Sequence, residues 1–112
     1  MQENEPMSNP STEVKSLKSL LQYQESAIVS RVLLKNPSGT VTLFAFANGE
    51  GLSEHTAAFD ALVICVEGEA EIQISGQKYR LLEGETITMP ANRPHSIKAA
   101  SNFKMLLVMI KA

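Results

Sequence analysis

The chain has 112 residues, 44% of them apolar and 20% charged, which suits one domain with one hydrophobic core. Ten basic and twelve acidic residues give a formal net charge of −2, and the basic residues are scattered, so nucleic acid is a poor candidate partner. The apolar run Met105 to Ile110 is too short to cross a bilayer, and the N-terminus carries acidic residues where a signal peptide carries basic ones. We therefore expect a cytoplasmic protein with no membrane partner.

The first 26 residues differ from the rest of the chain. Residues 1–12 combine two prolines with polar side chains and show no apolar period, which predicts a flexible arm. The spacing of Val14, Leu17, Leu20 and Leu21 fits one face of a short helix. We predict an N-terminal arm and short helix over residues 1–26, followed by a β-barrel domain over residues 27–112.

From residue 27 onward, β-rich segments alternate with turns that contain Gly or Pro, which is typical of an all-β sandwich or barrel. Helices do not alternate with the strands, which argues against an α/β fold and favours two packed sheets or a jelly roll. The predicted strands are Ile28 to Leu34, Thr40 to Ala47, Ala61 to Val66, Ala70 to Ser75, Gln77 to Leu82, Thr86 to Met89, His95 to Ala99 and Phe103 to Ile110.

Two of these strands are apolar on both faces. Leu62 to Val66 and Met105 to Ile110 contain no polar residue, so each needs cover on both sides. One face would line the barrel, and the other must meet a second layer or a second subunit. For this reason we expect a homodimer.

Two spaced motifs lie between Gly49 and Ala99. In the first, Gly49 is followed by five residues and His55, and the motif closes at Gly68. In the second, Gly84 is followed by five residues and Pro90, and four further residues separate Pro90 from His95. These spacings resemble the cupin superfamily, whose motifs read G-x5-H-x-H-x(3 or 4)-E-x6-G and G-x5-P-x-G-x2-H.

This resemblance implies a double-stranded β-helix, or jelly-roll barrel, similar to small single-domain cupins of unassigned function. It also implies a metal site to which His55 and His95 would contribute. The second histidine and the glutamate of the first motif are replaced by Ala57 and Ala61, which donate nothing to a metal. Asn92 stands where the second motif has glycine, and asparagine tolerates the left-handed conformation.

We therefore predict a small-molecule-binding cupin domain with a degenerate metal site. His55 and His95 would bind a small organic ligand inside the barrel, and we expect no cofactor. A further hypothesis is a scaffold protein whose barrel pocket is filled by its own side chains, because phenylalanine and methionine residues also suit ordinary core packing. Cys65, the only cysteine, is expected to be structural, because an apolar environment raises the pKa of a thiol.

The alternative is a metal-dependent cupin enzyme of the dioxygenase or isomerase type. Asp60 precedes Ala61, and a bulge in the chain there would swing its carboxylate inward. His55, Asp60 and His95 would then form a two-histidine, one-carboxylate set for one divalent metal such as Fe, Mn, Zn or Ni. Otherwise Asp60 faces solvent or caps the turn before the strand.

Overall fold

The structure, a computed structural model, describes residues 12–111, and within them nine β-strands form two antiparallel sheets. The strands are β1 (Ile28–Asn36), β2 (Gly39–Phe46), β3 (Gly51–His55), β4 (Phe59–Glu67), β5 (Glu69–Ile74), β6 (Gln77–Leu82), β7 (Thr86–Met89), β8 (His95–Ala99) and β9 (Phe103–Lys111). One sheet has the order β1-β2-β9-β4-β7, and the other has the order β3-β8-β5-β6. The all-β barrel predicted from the sequence is confirmed.

The eight predicted strands are all present, and the structure adds a ninth, β3, which the sequence analysis missed. The segment Gly51–His55 contains one apolar residue, so it shows none of the alternation that predicts a strand. The structure also extends β1 to Asn36 and begins β4 at Phe59.

The short helix or turn expected over residues 14–21 is present as a single 3-10 turn, Leu17–Ser19. Within this turn, the Lys18 carbonyl accepts a hydrogen bond from the Nζ of Lys104 on β9. This side-chain donor occupies a carbonyl that an α-helix would pair with a backbone amide four residues later. The predicted arm lies, apart from Thr12, outside the described residues, and the division of the chain at residue 27 stays a prediction.

The tight turn between β4 and β5 depends on Gly68. Its φ of 82° lies in the left-handed region, and a Cβ there would collide with the carbonyl oxygen of Asn102. Only glycine meets both conditions without strain. This turn joins the two sheets at the end of the barrel opposite to the one that carries the histidines.

The core lies between the inner faces of the two sheets, and its burial decreases along the barrel. At the Gly68 end, Phe46 and Phe103 are fully buried, with ring centroids 5.4 Å apart. Towards the other end, the inward-facing Leu107 and Met109 of β9 are only partly buried. Ala61, Ile74 and Met89 are buried near the histidines, so this end is filled as well and is more open only along β9.

No helix within residues 12–111 is long and apolar enough to cross a membrane.

Candidate functional site

A β-bulge in β3 brings the two histidines together at the more open end of the barrel. Leu52 pairs with Ile97, and His55 pairs with His95, so three steps along β3 oppose two steps along β8. In a regular strand, residues three apart point to opposite faces. The extra residue turns His55 onto the face that already carries Leu52, which is also the face of His95.

The two imidazoles meet edge to face. Their Nε2 atoms lie 3.2 Å apart, the ring centroids are 4.4 Å apart, and the ring planes make an angle of 69°. His95 is 6% exposed, whereas His55 is exposed at the rim. The sequence-based expectation that these residues share one place in the barrel agrees with this geometry.

Each ring is held from behind by a backbone carbonyl. The Nδ1 of His55 lies 2.8 Å from the carbonyl oxygen of Ser53, and the Nδ1 of His95 lies 3.0 Å from that of Arg93. A carbonyl oxygen only accepts, so each Nδ1 must carry the hydrogen that is donated. In a neutral ring the Nε2 is then an acceptor, and two acceptor atoms face each other across 3.2 Å.

This arrangement needs a further atom or ion between the two Nε2 atoms. Two lone pairs at that distance repel unless a hydrogen or a cation lies between them. The hydrogen can be an extra proton shared by the rings or can come from a donor group on a bound molecule. The pair is therefore chemically an acceptor for one acidic hydrogen or one metal ion.

Two connections frame the histidines. The amide of Asn92 donates to the carbonyl of Ala57 across 2.7 Å, which joins the β7–β8 connection to the β3–β4 connection. Asn92 has a φ of 64°, so it takes the left-handed conformation expected where the family motif has glycine. This bond fixes the backbone that leads out of His55 against the backbone that leads into His95.

Asp60 is not brought together with the histidines. The pairing of β4 with β9 is regular from Phe59 to Cys65, so Asp60 points to the face opposite Ala61, which is buried on the inner face. Its Oδ1 accepts a hydrogen bond from the amide of Ala91 across 2.9 Å. No bulge that would swing this carboxylate inward lies near Asp60, because the register shift of β4 against β9 falls between Cys65 and Glu67.

The site fits a metal ion only as a pair of donors. With metal–nitrogen bonds of about 2.0–2.1 Å, two Nε2 atoms 3.2 Å apart subtend about 100–106° at a shared ion, which is close to a tetrahedral angle. Among residues 12–111, however, no group of three or more His, Cys, Asp or Glu side chains is placed to hold a metal. The described residues therefore do not fit a centre with three or four protein ligands.

One inner-face side chain at the edge of the five-stranded sheet remains exposed. Val32 of β1 shares a face with Thr42, Leu107 and Val63, which is the inner face of the sheet, yet it is 56% exposed. Because Val32 faces inward and remains exposed, the barrel is open along its β1 edge.

Cys65 lies away from this opening. It is 1% exposed, and its Sγ donates to the carbonyl oxygen of Gly68 across 3.2 Å. Burial raises the pKa of the Cys65 thiol to about 11, so little thiolate is present near neutral pH. The structural role expected for this cysteine is consistent with its environment.

A second polar cluster, which the sequence analysis missed, lies on the outer side of the five-stranded sheet. Lys104 is 5% exposed, and its Nζ lies 3.6 Å from Oε1 of Glu67 and 4.8 Å from the centre of the Tyr23 ring. The Tyr23 hydroxyl donates to the same Oε1 across 2.6 Å. This bond, with Lys104 close by, lowers the pKa of Glu67, while burial and Glu67 raise the pKa of Tyr23. The only sequence signal was a lysine within an apolar strand.

Comparison with known proteins agrees with this architecture. The family model for the Cupin domain matches residues 42–111. A conserved protein of unknown function from Streptococcus pyogenes is 33% identical with a TM-score of 0.87, and the alignment covers 94% of this chain and 92% of that one. A cupin superfamily protein from Desulfitobacterium hafniense is 30% identical with a TM-score of 0.86, over 94% and 96% of the two chains.

A third similar structure is longer. The Cupin 2 conserved barrel domain protein from Leptotrichia buccalis is 38% identical with a TM-score of 0.80, and the alignment covers 84% of this chain but 46% of that one. A comparison with curated protein sequences gives no match. The motif spacing, the two-sheet barrel and these similarities agree, and the chain belongs to the cupin family.

Proposed function

We propose that this cupin binds a small organic acid at the open end of its barrel, through the facing Nε2 atoms of His55 and His95. The observation that carries the proposal is the 3.2 Å separation of two ring nitrogens whose Nδ1 partners are both backbone carbonyls. A carboxylic acid is already ionised near neutral pH, so the anion binds while the imidazole pair takes up from water the one proton that it lacks. The pair is then cationic, and it attracts the anionic ligand.

The remainder of the ligand would be apolar. The exposed, inward-facing Val32 and the partly buried Met109 lie on the sheet that faces the histidines. Deeper in the barrel, Phe46 and Phe103 are fully buried, which leaves ligand space only near the opening. We therefore expect a short hydrocarbon body attached to one carboxylic acid or similarly acidic hydroxyl group.

NMR titration of the ring Cε1–H signals with acetate, hexanoate and benzoate tests the proposal. We expect both imidazole signals to move, with hexanoate or benzoate binding more tightly than acetate because of the added apolar contact. His95→Gln should weaken binding by roughly tenfold or more, the usual effect of losing a hydrogen bond to a charged group. Lys98→Gln, which removes a charge from the exposed face of the same strand, is the control.

The proposal is wrong if neither histidine signal responds to any of the three acids. It is also wrong if Lys98→Gln weakens binding as much as His95→Gln does, because the acids would then respond to overall charge. The cytoplasmic location stays a prediction, and cell fractionation tests it.

A metal-dependent enzyme is the second candidate, because two Nε2 atoms that lie 3.2 Å apart can both bind one metal ion. Bound metal would supply Lewis-acid or redox chemistry at positions left for substrate and water. Histidines that bind metal normally donate their other ring N–H to a carbonyl or carboxylate, as both histidines do here. Stoichiometric iron, manganese, zinc or nickel in untagged protein would favour this candidate, and its loss in His55→Gln would locate the ion.

A further inference from the structure

The connection between β7 and β8, which leads into His95, is held by the turn between β5 and β6. Within this connection, the Nε of Arg93 donates to the Oγ of Ser75, which lies in the turn, across 3.0 Å. The backbone amide of Ser75 donates to the carbonyl oxygen of Pro94 across 2.8 Å. One serine thus holds two successive residues of the connection. We call these two hydrogen bonds the Ser75 clamp.

The Ser75 clamp encloses the carbonyl group that orients His95. The carbonyl oxygen of Arg93 lies 3.0 Å from the Nδ1 of His95, and it belongs to the peptide unit that joins Arg93 to Pro94. On one side of this peptide unit, the Arg93 side chain is bonded to Ser75. On the other side, Pro94 has a fixed φ and its own carbonyl is bonded to the same serine. The direction of the Arg93 carbonyl therefore depends on the clamp.

This carbonyl decides which nitrogen of His95 carries the hydrogen. A neutral imidazole has one N–H, and the hydrogen bond made by one ring nitrogen sets the role of the other. With the carbonyl in place, Nδ1 donates and Nε2 stays an acceptor, 3.2 Å from the Nε2 of His55. Without it, a buried Nδ1–H would have no acceptor, and moving the hydrogen to Nε2 would let His95 donate to His55. The pair would then satisfy itself.

His55 is oriented by a different part of the chain. Its Nδ1 lies 2.8 Å from the carbonyl oxygen of Ser53, within the bulged segment of its own strand. The Ser75 clamp therefore acts on one ring of the pair, and the other ring serves as an internal reference.

We propose that Ser75 and Arg93 are positioning residues for His95, which keep its Nε2 an acceptor by holding the Arg93 carbonyl against Nδ1. The consequence for binding rests on the proposed acid-binding function, because only a pair of acceptors takes up a proton together with the anion. Both Ser75 and Arg93 are exposed, so substitutions at these positions leave the core of the barrel intact.

Two-bond ¹H–¹⁵N correlation spectra of the imidazole rings in the full chain test the positioning role directly. At about pH 8.5 and without acid, where a free imidazole is neutral, we expect both rings of the wild-type protein to carry the hydrogen on Nδ1. Ser75→Gly removes the hydroxyl and suits the φ of 50° at this position. In this variant His95 should become mainly the Nε2–H form, while His55 should not change.

Ser26→Gly is the matched control for the backbone effect of Ser75→Gly. Ser26 is also a serine in the left-handed region, with a φ of 55°, and it precedes β1 rather than β6. Its replacement should leave the spectra of both rings as they are in the wild-type protein. Thermal unfolding of each variant shows whether the fold itself has changed.

Binding of benzoate measures the consequence for the site. Ser75→Gly and Arg93→Met should each weaken binding by roughly threefold to tenfold, the usual effect of losing one hydrogen bond. The double variant should be no weaker than either single variant, because both changes break the same contact. Ser75→Asn should restore binding, since asparagine tolerates the left-handed region and its side-chain oxygen accepts.

Arg80→Met is the control for loss of positive charge. Arg80 lies on β6, in the same sheet as His95, and its Nε donates to Glu69 across 2.6 Å. This variant should bind benzoate as the wild-type protein does. If it weakens binding as much as Arg93→Met does, the effect of Arg93 is one of charge, and the positioning role is wrong.

The tautomer and the binding measurement separate the two proposals. If His95 keeps its hydrogen on Nδ1 in both Ser75→Gly and Arg93→Met, the positioning role is overturned, whether or not acids bind. A change of the same size in Ser26→Gly, or losses of affinity that multiply in the double variant, overturns it as well. If the tautomer changes as expected but the wild-type protein binds none of the acids, the positioning role is supported and the acid-binding function is wrong.

Discussion

The partly buried cluster of Tyr23, Glu67 and Lys104 predicts that two substitutions in one ion pair have unequal effects on stability. The Lys104 side chain is 6% exposed, while that of Glu67 is 35% exposed, and the charged atoms are 3.6 Å apart. Glu67→Gln leaves an ammonium group that water hardly reaches. Lys104→Met leaves a carboxylate that water partly reaches, and it keeps most of the apolar stem.

The magnitudes follow from what each change leaves behind. Removing one partner of a fully buried pair costs about 3–5 kcal/mol, and partial exposure of Glu67 reduces this to about 2–3 kcal/mol for Glu67→Gln. Lys104→Met loses a donor to the carbonyl of the exposed Lys18 and the contact with the Tyr23 ring. Because water can replace part of that donation, we expect about 1–2 kcal/mol.

Urea unfolding at neutral pH, with the dependence on denaturant compared between variants, measures both free energies. Lys78→Met and Glu71→Gln are matched controls, because that pair lies 3.5 Å apart with side chains 69% and 46% exposed. Each control should change stability by less than about 1 kcal/mol. The reasoning is refuted if Lys104→Met costs more than Glu67→Gln, or if neither differs from the exposed controls.

Three further predictions concern the same scaffold. Gly68→Ala should destabilise the fold by roughly 3 kcal/mol or more. The control Gly76→Ala should cost only about 1–2 kcal/mol, because Gly76 has a similar φ of 84° but no atom lies within 4 Å of the new Cβ. Equal costs of the two substitutions in thermal unfolding would show that the collision at Gly68 relaxes freely. Cys65 should react with a thiol reagent at pH 8 far more slowly in the folded than in the unfolded protein, because burial raises its pKa to about 11, and rapid reaction of the folded protein would contradict this burial. The Tyr23 hydrogen bond and Lys104 lower the pKa of Glu67 in the folded protein. The contribution of Glu67 to stability is therefore present above the unfolded pKa of 4.5 and is lost as the pH falls through the folded pKa. Glu67→Gln should flatten the loss of stability in acid, and an unchanged acid profile would contradict this prediction.

Local sequence signals predicted most of the barrel, because alternating apolar residues and turn glycines act over a few positions. The strand Glu69–Ile74 shows this, since Ala70, Ile72 and Ile74 are buried as their alternation required. The missed strand, β3, lacks such a pattern. Its bulge depends on pairing with β8, which lies about forty positions away along the chain, so no local period could have indicated it.

The candidate site, like the fold, was predicted only in part from the sequence. The spacing of the two motifs predicted that His55 and His95 share the barrel, and replacement of two ligands by Ala57 and Ala61 was visible in the sequence. Whether Asp60 could join them depended on the register of β4 against β9, and a regular ladder points it to the outer face. A one-residue shift reverses the face of a side chain, and the sequence alone could not decide that shift.

The sequence by itself determined a small apolar barrel with two histidines at spaced positions and two strands that need cover on both faces. Only the tertiary structure decided how the histidine rings face each other, because backbone carbonyls of Ser53 and Arg93 hold them and carbonyls carry no residue-specific signal. It also decided which part of the outer sheet the N-terminal segment covers, through Lys104, which lies 86 positions from the carbonyl it binds. Contacts between distant segments arise from packing of the whole chain, whereas the strand pattern arises from neighbours.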